Sequence, residues 1–403
     1  MSVSQGLDDT GCTVIHVDMD AFYVAVAIRD RPDLQDRAVI AGGGSHGVVL
    51  SATYPAREYG VRSAMPMTRA RRLCPHAIVV QPDYDEVAQI SSAVMETFRS
   101  ITPKVETLSM DEAFLDVSGS LRRFGSPTAI GEYLRVRIFD EQRVTCSVGI
   151  AETTQLAKLA SRRAKPDGLF VVPRDGVVSF LHPLAVEDLW GVGEKTAGQL
   201  HQLGLRTVGD LAHTPLGVLR RALGHGPGSK LHALAWGQDD REVVARRGAE
   251  EEPDRSIGHS ETFHRDTDDP EVIYRELLRL STKAAARMRA ASVVGRTITV
   301  TVRFSDFTTI TRSRTLRDHT DRTPEIYATA ADVYAGLGLE RARVRLVGVR
   351  IEGLVDAARA SRQLMLGERP FGWEDAERAV DRVTGKFGTE AVQPATLLAT
   401  SRP

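Results

Sequence analysis

Three cysteines in 403 residues, Cys12, Cys74 and Cys146, are too few, too scattered and odd in number for a disulfide framework or a thiolate zinc cluster. Their scarcity fits a reducing compartment and points to the cytoplasm. Apolar runs approaching the roughly 20 residues of a membrane-spanning helix are missing as well. The start MSVSQGLDDTG lacks the basic and apolar regions of a secretory leader and reads as a short polar tail, residues 1–12. An excess of either charge is also absent: 52 Lys and Arg stand against 53 Asp and Glu, a net of -1. A uniformly basic coat is thereby excluded, and any phosphate-binding surface has to be local. What is present is an ordinary globular composition, 42% hydrophobic and 26% charged, on a chain long enough for about two to four domains.

Residues 13–18, TVIHVD, are β-branched and apolar as in a buried strand, and Asp20 then stands where it could cap a helix through AFYVAVAIRD. AVIAGGGSHGVVLSATY predicts two short strands around a Gly-rich turn, with Pro55 in the first turn of the next helix. MTRARRLCP predicts a short basic helix and DYDEVAQISSAVMETFRSIT a longer amphipathic one. VETLSMDEAFLDVSG alternates like a hairpin, and a helix near 127–141 and the strand VTCSVGIA follow. That order predicts an α+β sheet with helices on one face. From about 169 to 236, helices separated by Gly-containing turns take over. GQDDREVVARRGAEEEPD is charged and aperiodic, which predicts an interdomain linker over 238–253. Residues 254–354 alternate as a separate β-α-β-β-α-β-type domain, and 355–403 form a tail with one amphipathic helix.

Asp18 and the pair Asp111-Glu112 sit at the ends of two apolar strands. If those strands are neighbours, three carboxylates meet at one sheet edge. Unaided, they would raise each other's pKa until one protonated; divalent cations remove that conflict. Oxygen-only donors favour Mg²⁺, or Mn²⁺, over zinc. Two such ions about 3.5–4 Å apart serve in-line phosphoryl displacement. The plainer alternative, acids that cap helices or close turns, is preferred for Asp20. The N–H groups of Ala21, Phe22 and Tyr23 open a helix beside the first carboxylate and so form an anion site. Ser51, Tyr54 and Arg57, at intervals of three, can share a face that suits phosphate oxygens. Lys165 precedes a Pro-Asp-Gly turn. Taken singly, Tyr54 also suits a core, Arg57 a solvated helix and Lys165 an ordinary surface.

VDMDAFY, SATYPAREYGVRSAMP, LSMDEAFLDV, SVGIAETTQLAKLAS and AKPDGLF, in this order, resemble the Y-family translesion DNA polymerases, and most of all their bacterial DNA polymerase IV group. The resemblance runs from about residue 13 to 367. It implies an α+β multidomain right hand: a palm (13–22 and 80–168), fingers (23–79), a helix-hairpin-helix thumb (169–237) and a separate α+β little finger (254–354). It implies low-fidelity, template-directed transfer of deoxynucleotides to a primer 3′-hydroxyl. Primer–template DNA and an incoming dNTP would be partners, and two Mg²⁺ ions, or Mn²⁺ in their place, would be cofactors. Asp18, Asp111 and Glu112 would be the catalytic acids and, with the Met19 carbonyl, would hold the ions.

The same resemblance assigns nucleotide contacts to Ala21, Phe22, Tyr23, Ser51 (often Thr in relatives), Tyr54, Arg57 and Lys165. Tyr23 would be the steric gate, its ring colliding with a ribose 2′-hydroxyl. The small Ser63 and Ala64 would roof the nascent base pair loosely. GVGEKTAGQL and GHGPGSKL would turn Gly191, Gly193, Lys195 and Lys230 toward DNA phosphates. Arg303, Thr311, Arg312 and Arg314 would do the same from the little finger. From Arg296 to Arg350 there are ten Arg and no Lys against six Asp or Glu, a local net of +4. For Arg341, Arg343 and Arg345 a solvated sheet edge protected by charge is an equal reading. Gln363-Leu364-Met365-Leu366-Gly367 resembles a β sliding clamp-binding peptide, contacting through Gln363, Leu364 and Leu366, on a chain expected to be monomeric. Two departures stand out. Thr154 occupies a position where relatives commonly have Lys, and 36 residues follow the clamp-like motif.

A strand ending Asp-x-Asp also opens the motif of haloacid-dehalogenase-type phosphatases. That motif requires Thr or Val two residues past the second Asp, where Phe22 stands. A DNA-bridging module without catalysis is opposed by the presence of all three carboxylates.

Overall fold

The first apolar run forms β1 (Val14–Met19), the middle strand of a five-stranded sheet in the computed structural model. The structure describes residues 8–43, 47–245, 255–339, 341–360, 372–388 and 391–397. They fall into two units, Met1–Glu250 and Glu251–Pro403. After β1 come α1 (Phe22–Ile28), β2 (Val39–Gly42), β3 (Val49–Ala52), α2 (Tyr54–Glu58), α3 (Met67–Leu73) and β4 (Ile78–Val80). The strands form a small sheet ordered β3-β2-β4, with β4 parallel to β2. At three residues β4 is too short for periodicity to reveal it.

Next come α4 (Tyr84–Ile101), β5 (Val105–Thr107), β6 (Glu112–Asp116), α5 (Leu121–Phe124), α6 (Pro127–Gln142), β7 (Cys146–Ala151), α7 (Thr154–Ala164) and β8 (Leu169–Val171). Asp83 starts α4 by accepting the Asp85 and Glu86 N–H groups, and Ser126 starts α6 with Pro127 in its first turn. The larger sheet is ordered β5-β6-β1-β7-β8.

Two expectations fail here. Helices cover both faces of this sheet rather than one. Ile15, Val17 and Met19 pack with α4 and α6, while the alternate residues Val14 and His16 turn toward α7. Residues 169–171, which the sequence placed with the thumb helices, form an edge strand parallel to β7 across the α7 crossover. The sequence did not reveal α7 because its buried face mixes Leu156 and Leu159 with Thr154, Gln155 and Ser161.

The helical segment follows as α8 (Val177–Leu181), α9 (Glu194–Gln202), α10 (Val208–His213), α11 (Leu216–Leu223) and α12 (His225–Ala235), around Leu200, Leu211, Leu219 and Leu234. Thr207 and Asp210 close a capping box on α10.

The charged stretch after α12 is not a free linker throughout. Asp239 accepts the Thr154 hydroxyl (2.7 Å) and the Gln155 N–H (3.2 Å) at the start of α7. Arg241 donates to Glu106 (2.7 Å), whose other oxygen takes the Val244 N–H (3.2 Å). Glu106 is 2% exposed, so the guanidinium supplies the partner that a buried carboxylate needs. Residues 239–244 therefore strap the end of the helical segment to the larger sheet. Thr154 is fully buried, with its hydroxyl engaged by the strap.

The second unit runs β9 (Ser256–Thr267), α13 (Pro270–Ala290), β10 (Val293–Phe304), β11 (Thr309–Thr320), α14 (Thr323–Ala335) and β12 (Val344–Glu352), the β-α-β-β-α-β order read in the sequence. A short β13 (Val355–Asp356) and the tail helix α15 (Trp373–Phe387) follow. Its antiparallel sheet is ordered β11-β10-β12-β9, and Leu277, Leu280, Ile298, Val300 and Ile351 form its core with α13 and α14.

The tail helix docks on this unit through charge. Asp381 takes two bonds from the Arg289 guanidinium (2.6 and 2.9 Å), and Glu377 accepts the Thr323 N–H (2.9 Å) at the start of α14. Asp381→Ala should weaken the attachment by about 1–2 kcal/mol, between the exposed and buried ion-pair limits. Trypsin should then cut within α15 about tenfold faster than in the wild type, with the rest of the unit still resistant; equal cutting rates would contradict this docking.

Candidate active site

β1 and β6 run antiparallel with Asp18 directly opposite Glu112, and the Met19 N–H donates to the Asp111 carbonyl (2.9 Å). Acids some ninety positions apart thus meet at one strand end. Like charges placed across a strand pair repel, and the structure answers with cations. Lys165 donates to Asp18 (2.5 Å) and Lys158 donates to Glu112. His16 Nε2 lies 3.4 Å from the same Glu112 oxygen, and the Ser109 hydroxyl donates to Asp111 (2.5 Å). Burial raises the Asp18 pKa, Lys165 opposes that, and Asp111 and Glu112 add to it. Burial pushes Glu112 the same way, but His16 and Lys158 outweigh it and bring the carboxyl down to about 2. Burial drives the His16 ring down to about 4, so it is uncharged at neutral pH.

Asp20 does not cap α1. Ala21 takes the cap position in the left-handed region at φ 47, with no side-chain cap bond. Asp20 points back to the sheet instead and accepts the hydroxyls of Tyr54 (3.1 Å) and Ser147 (2.9 Å) and the Asp167 N–H (2.8 Å). It thereby ties β1 to β7, to the start of α2 and to the turn that carries Lys165.

The nucleotide candidates divide. Tyr54 rests on Asp20 and carries the Arg57 guanidinium stacked on its ring at 4.8 Å, with Arg57 Nε donating to the Ala52 carbonyl (2.8 Å). Tyr23 is half-buried on α1, with its hydroxyl 4.0 Å from the Met110 sulfur, next to Asp111, and its ring edge-on to Tyr84. Burial raises its phenol pKa, with the Asp111 charge adding to the effect. Ser51 is a different case: its hydroxyl is buried, accepts the Val24 N–H (2.8 Å) and donates to the Ala21 carbonyl (3.0 Å). A hydroxyl engaged in this way fixes the start of α1, beneath Ala21, Phe22 and Tyr23. Ser63 and Ala64 are exposed in a turn, Ala64 at φ 64.

Lys158, His16 and Ser161 belong to this cluster and were not singled out in the sequence. For Lys158 and Ser161 the signal was the spacing Thr154, Lys158, Ser161, Lys165, which stacks on one helical face once α7 is known; His16, on β1, had none.

On the nucleic-acid side, Gly193 precedes α9, Gly191 adopts φ 94, and Lys195 and Lys230 are exposed. The four little-finger candidates do not share a face, because side chains alternate along a strand. Thr311 pairs with Thr301 and, with Arg303, lies on the open face of the sheet; Arg312 and Arg314 pair with the buried Val300 and Ile298 on the helical face. Arg314 there meets Asp332 of α14 (2.9 Å). The open face adds the hydroxyls of Thr297 and Ser313, while Thr299 beside them is buried and donates to Glu352 (3.0 Å). Arg345 is paired with Asp266 (2.8 Å) and stacked over Phe307. It lies on β12, an inner strand between β10 and β9, so it does not guard a sheet edge as the charged-edge alternative expected. Gln363, Leu364 and Leu366 lie outside the described residues.

Among the described residues, no three carboxylate, imidazole or thiolate side chains stand close enough to hold a metal ion as they are placed. The donor chemistry fits hard divalent cations all the same: Asp18, Asp111 and Glu112 offer oxygen only, on adjacent strand ends, and two ammoniums already compensate the charge there. Among the described residues no helix is long and apolar enough to cross a membrane.

Three family models match the chain: the impB/mucB/samB family over residues 17–162, its C-terminal domain over 254–366, and the DNA polymerase-iota thumb domain over 187–239. DNA polymerase IV 2 of Mesorhizobium japonicum is 38% identical over 400 residues, covering 95% of this chain and 94% of its own length. DNA polymerase IV of Desulfatibacillum aliphaticivorans is 40% identical over 389 residues, covering 96% of each chain. Among solved structures, a Y-family DNA polymerase chimera of Dbh and Dpo4 matches with a TM-score of 0.76 at 25% identity, over 85% of this chain and 99% of its own. With carboxylates, cations and fold in agreement, the chain belongs to the Y-family DNA polymerases, alongside the bacterial DNA polymerase IV enzymes.

Proposed function

We propose that this polymerase joins deoxynucleotides to a primer 3′-hydroxyl at the strand end where Asp18 faces Glu112, in the low-fidelity, translesion manner of its family. That register, with the Met19–Asp111 bond beside it, is the observation that carries the reading, because it gathers three acids that nothing in a purely structural strand end requires. As a member of the family the enzyme acts on DNA and nucleotide and uses divalent metal ions. Two Mg²⁺, or Mn²⁺ in their place, would be held by Asp18, the Met19 carbonyl, Asp111 and Glu112. When bound, such ions lower the pKa of the primer hydroxyl and neutralise charge on the departing pyrophosphate.

The chain's own groups do the positioning. Lys165 leaves a turn fixed by Asp20 and brings an ammonium to the triphosphate. Tyr54, braced on Asp20, presents Arg57, and Ser51 acts indirectly by fixing the helix start where the Ala21, Phe22 and Tyr23 amides lie. Lys195 and Lys230 of the thumb hold duplex phosphates, as do Gly191 and Gly193 through their amides. In the little finger Arg303 and Thr311 contact the backbone from the open face, and Arg312 and Arg314 from the edge. A β sliding clamp partner through Gln363, Leu364 and Leu366, a monomeric chain and a cytoplasmic site of action complete the reading.

Single-nucleotide insertion on a primer–template with Mg²⁺ tests this. Tyr23→Ala should raise the relative kcat/KM for rNTP over dNTP by about 10²-fold, since a bulk-based exclusion is being removed. An unchanged ratio would remove Tyr23 from the gate.

A further inference from the structure

α7 presents Thr154, Lys158 and Ser161 at intervals of four and three, and Lys165 follows four residues later, just past its end. That spacing is one helical face, and all four groups meet partners on or beside the sheet: Asp239, Glu112, His16 and Asp18 respectively. The two ammoniums therefore divide the two opposed acids between them. Lys165 matches a triphosphate contact of the family. Lys158 stands on the other acid, Glu112.

We propose that Lys158 is a positioning residue for Glu112, holding one carboxylate oxygen in place and balancing its charge before metal and DNA arrive. This rests on the polymerase reading above. Three observations separate Lys158 from a surface lysine. Its side chain is only 18% exposed. Its ammonium lies 5.5 Å over the Trp190 ring and 3.5 Å from His16 Nε2, so it is walled in by an aromatic face on one side and a buried imidazole on the other. The wall is itself supported: Trp190 packs against Phe114 at 5.8 Å, and Arg241 of the strap covers both rings, at 4.9 and 5.2 Å. Both Lys158 and His16 approach Glu112 through Oε2, so neither uses Oε1. A carboxylate gripped by one oxygen can offer the other to a cation without first choosing a rotamer, which is how outer partners tune a metal ligand. Lys165 follows the end of the helix, whereas Lys158 projects from within it, between the Trp190 ring and the His16 imidazole.

The full chain carrying Lys158→Met, which keeps length and loses charge, tests this beside Lys158→Arg. Calorimetric titration with Mn²⁺ in the absence of DNA should show affinity weakened about tenfold in Lys158→Met. In single-nucleotide insertion kcat should fall about tenfold with the KM for dNTP within twofold, and Lys158→Arg should recover part of both losses. A raised KM with unchanged kcat would make Lys158 a nucleotide contact and overturn the proposal. Tighter Mn²⁺ binding would make it a mere occupant of the ion's place, and unchanged values would make it structural; either result overturns it too. If Lys158→Met does not fold, Trp190→Leu removes the wall and leaves both charges; the same loss of kcat at constant KM is expected, and wild-type kinetics would overturn the proposal. Wild-type protein that inserts no nucleotide would count against the polymerase reading itself, whereas a normal Lys158→Met beside an active wild type counts against this inference alone.

Discussion

Asp18→Asn is expected to lower single-nucleotide insertion by about 10³-fold, in the range found when a group aimed at developing charge is removed. The substitution keeps the shape of the strand end and removes the charge that faces Glu112. Its effect on folding should be small and of opposite sign. Burial raises the Asp18 pKa above its ordinary value. An acid with a raised folded pKa destabilises the fold once pH exceeds the unfolded value, and protonation relieves the cost as pH falls. Neutral Asn should therefore leave the melting temperature equal or slightly higher at pH 7, and should flatten its dependence on pH in the acid range. Activity lost together with stability would mean that Asp18 serves the fold instead.

Arg241→Ala should cost about 3 kcal/mol of stability, the lower part of the range for breaking a buried pair, because the guanidinium itself is partly exposed. Glu106 would keep its buried charge without the guanidinium that faces it, and Phe114 and Trp190 would lose their cover. For a unit of this size that corresponds to a melting temperature lower by roughly 6–12 °C. Adding Glu106→Gln should recover most of the loss, since it removes the charge left behind; the coupling is what the double-mutant cycle measures. A loss below about 1 kcal/mol, or additive effects in the cycle, would mean that residues 239–244 lie on the sheet without fastening it.

β1 was legible because it is a β-branched apolar run ending abruptly in charge, and β6 because its acids open an apolar stretch in an alternating hairpin pattern within a long motif. The separate second unit was legible from its alternation of strand and helix. Other features depended on partners too distant for local pattern to register. Residues 239–244 read as linker because the groups that hold them, Glu106 and Thr154, lie 85 to 138 positions away, and nothing in a charged, aperiodic stretch announces them. α7 was obscured because the polar Thr154, Gln155 and Ser161 sit on its buried face. Asp20 has the sequence position of a cap, but the left-handed turn at Ala21 sends its side chain inward, and a backbone angle of that kind on alanine is not written in residue type. Ser51 matched a phosphate contact by motif, while its hydroxyl is engaged by the backbone at the start of α1. In the little finger, counting arginines located the unit's charge but not its faces, which the strand register decides.

The most direct measurement is extension of a primer on an undamaged template by the purified chain, with Mg²⁺ and the four dNTPs, run beside Asp18→Asn. Template-directed addition by the wild type, reduced about 10³-fold by a variant that melts no lower, is the predicted result. No addition by the wild type, or equal extension by the variant, would contradict the assignment of this strand end as the site of nucleotidyl transfer.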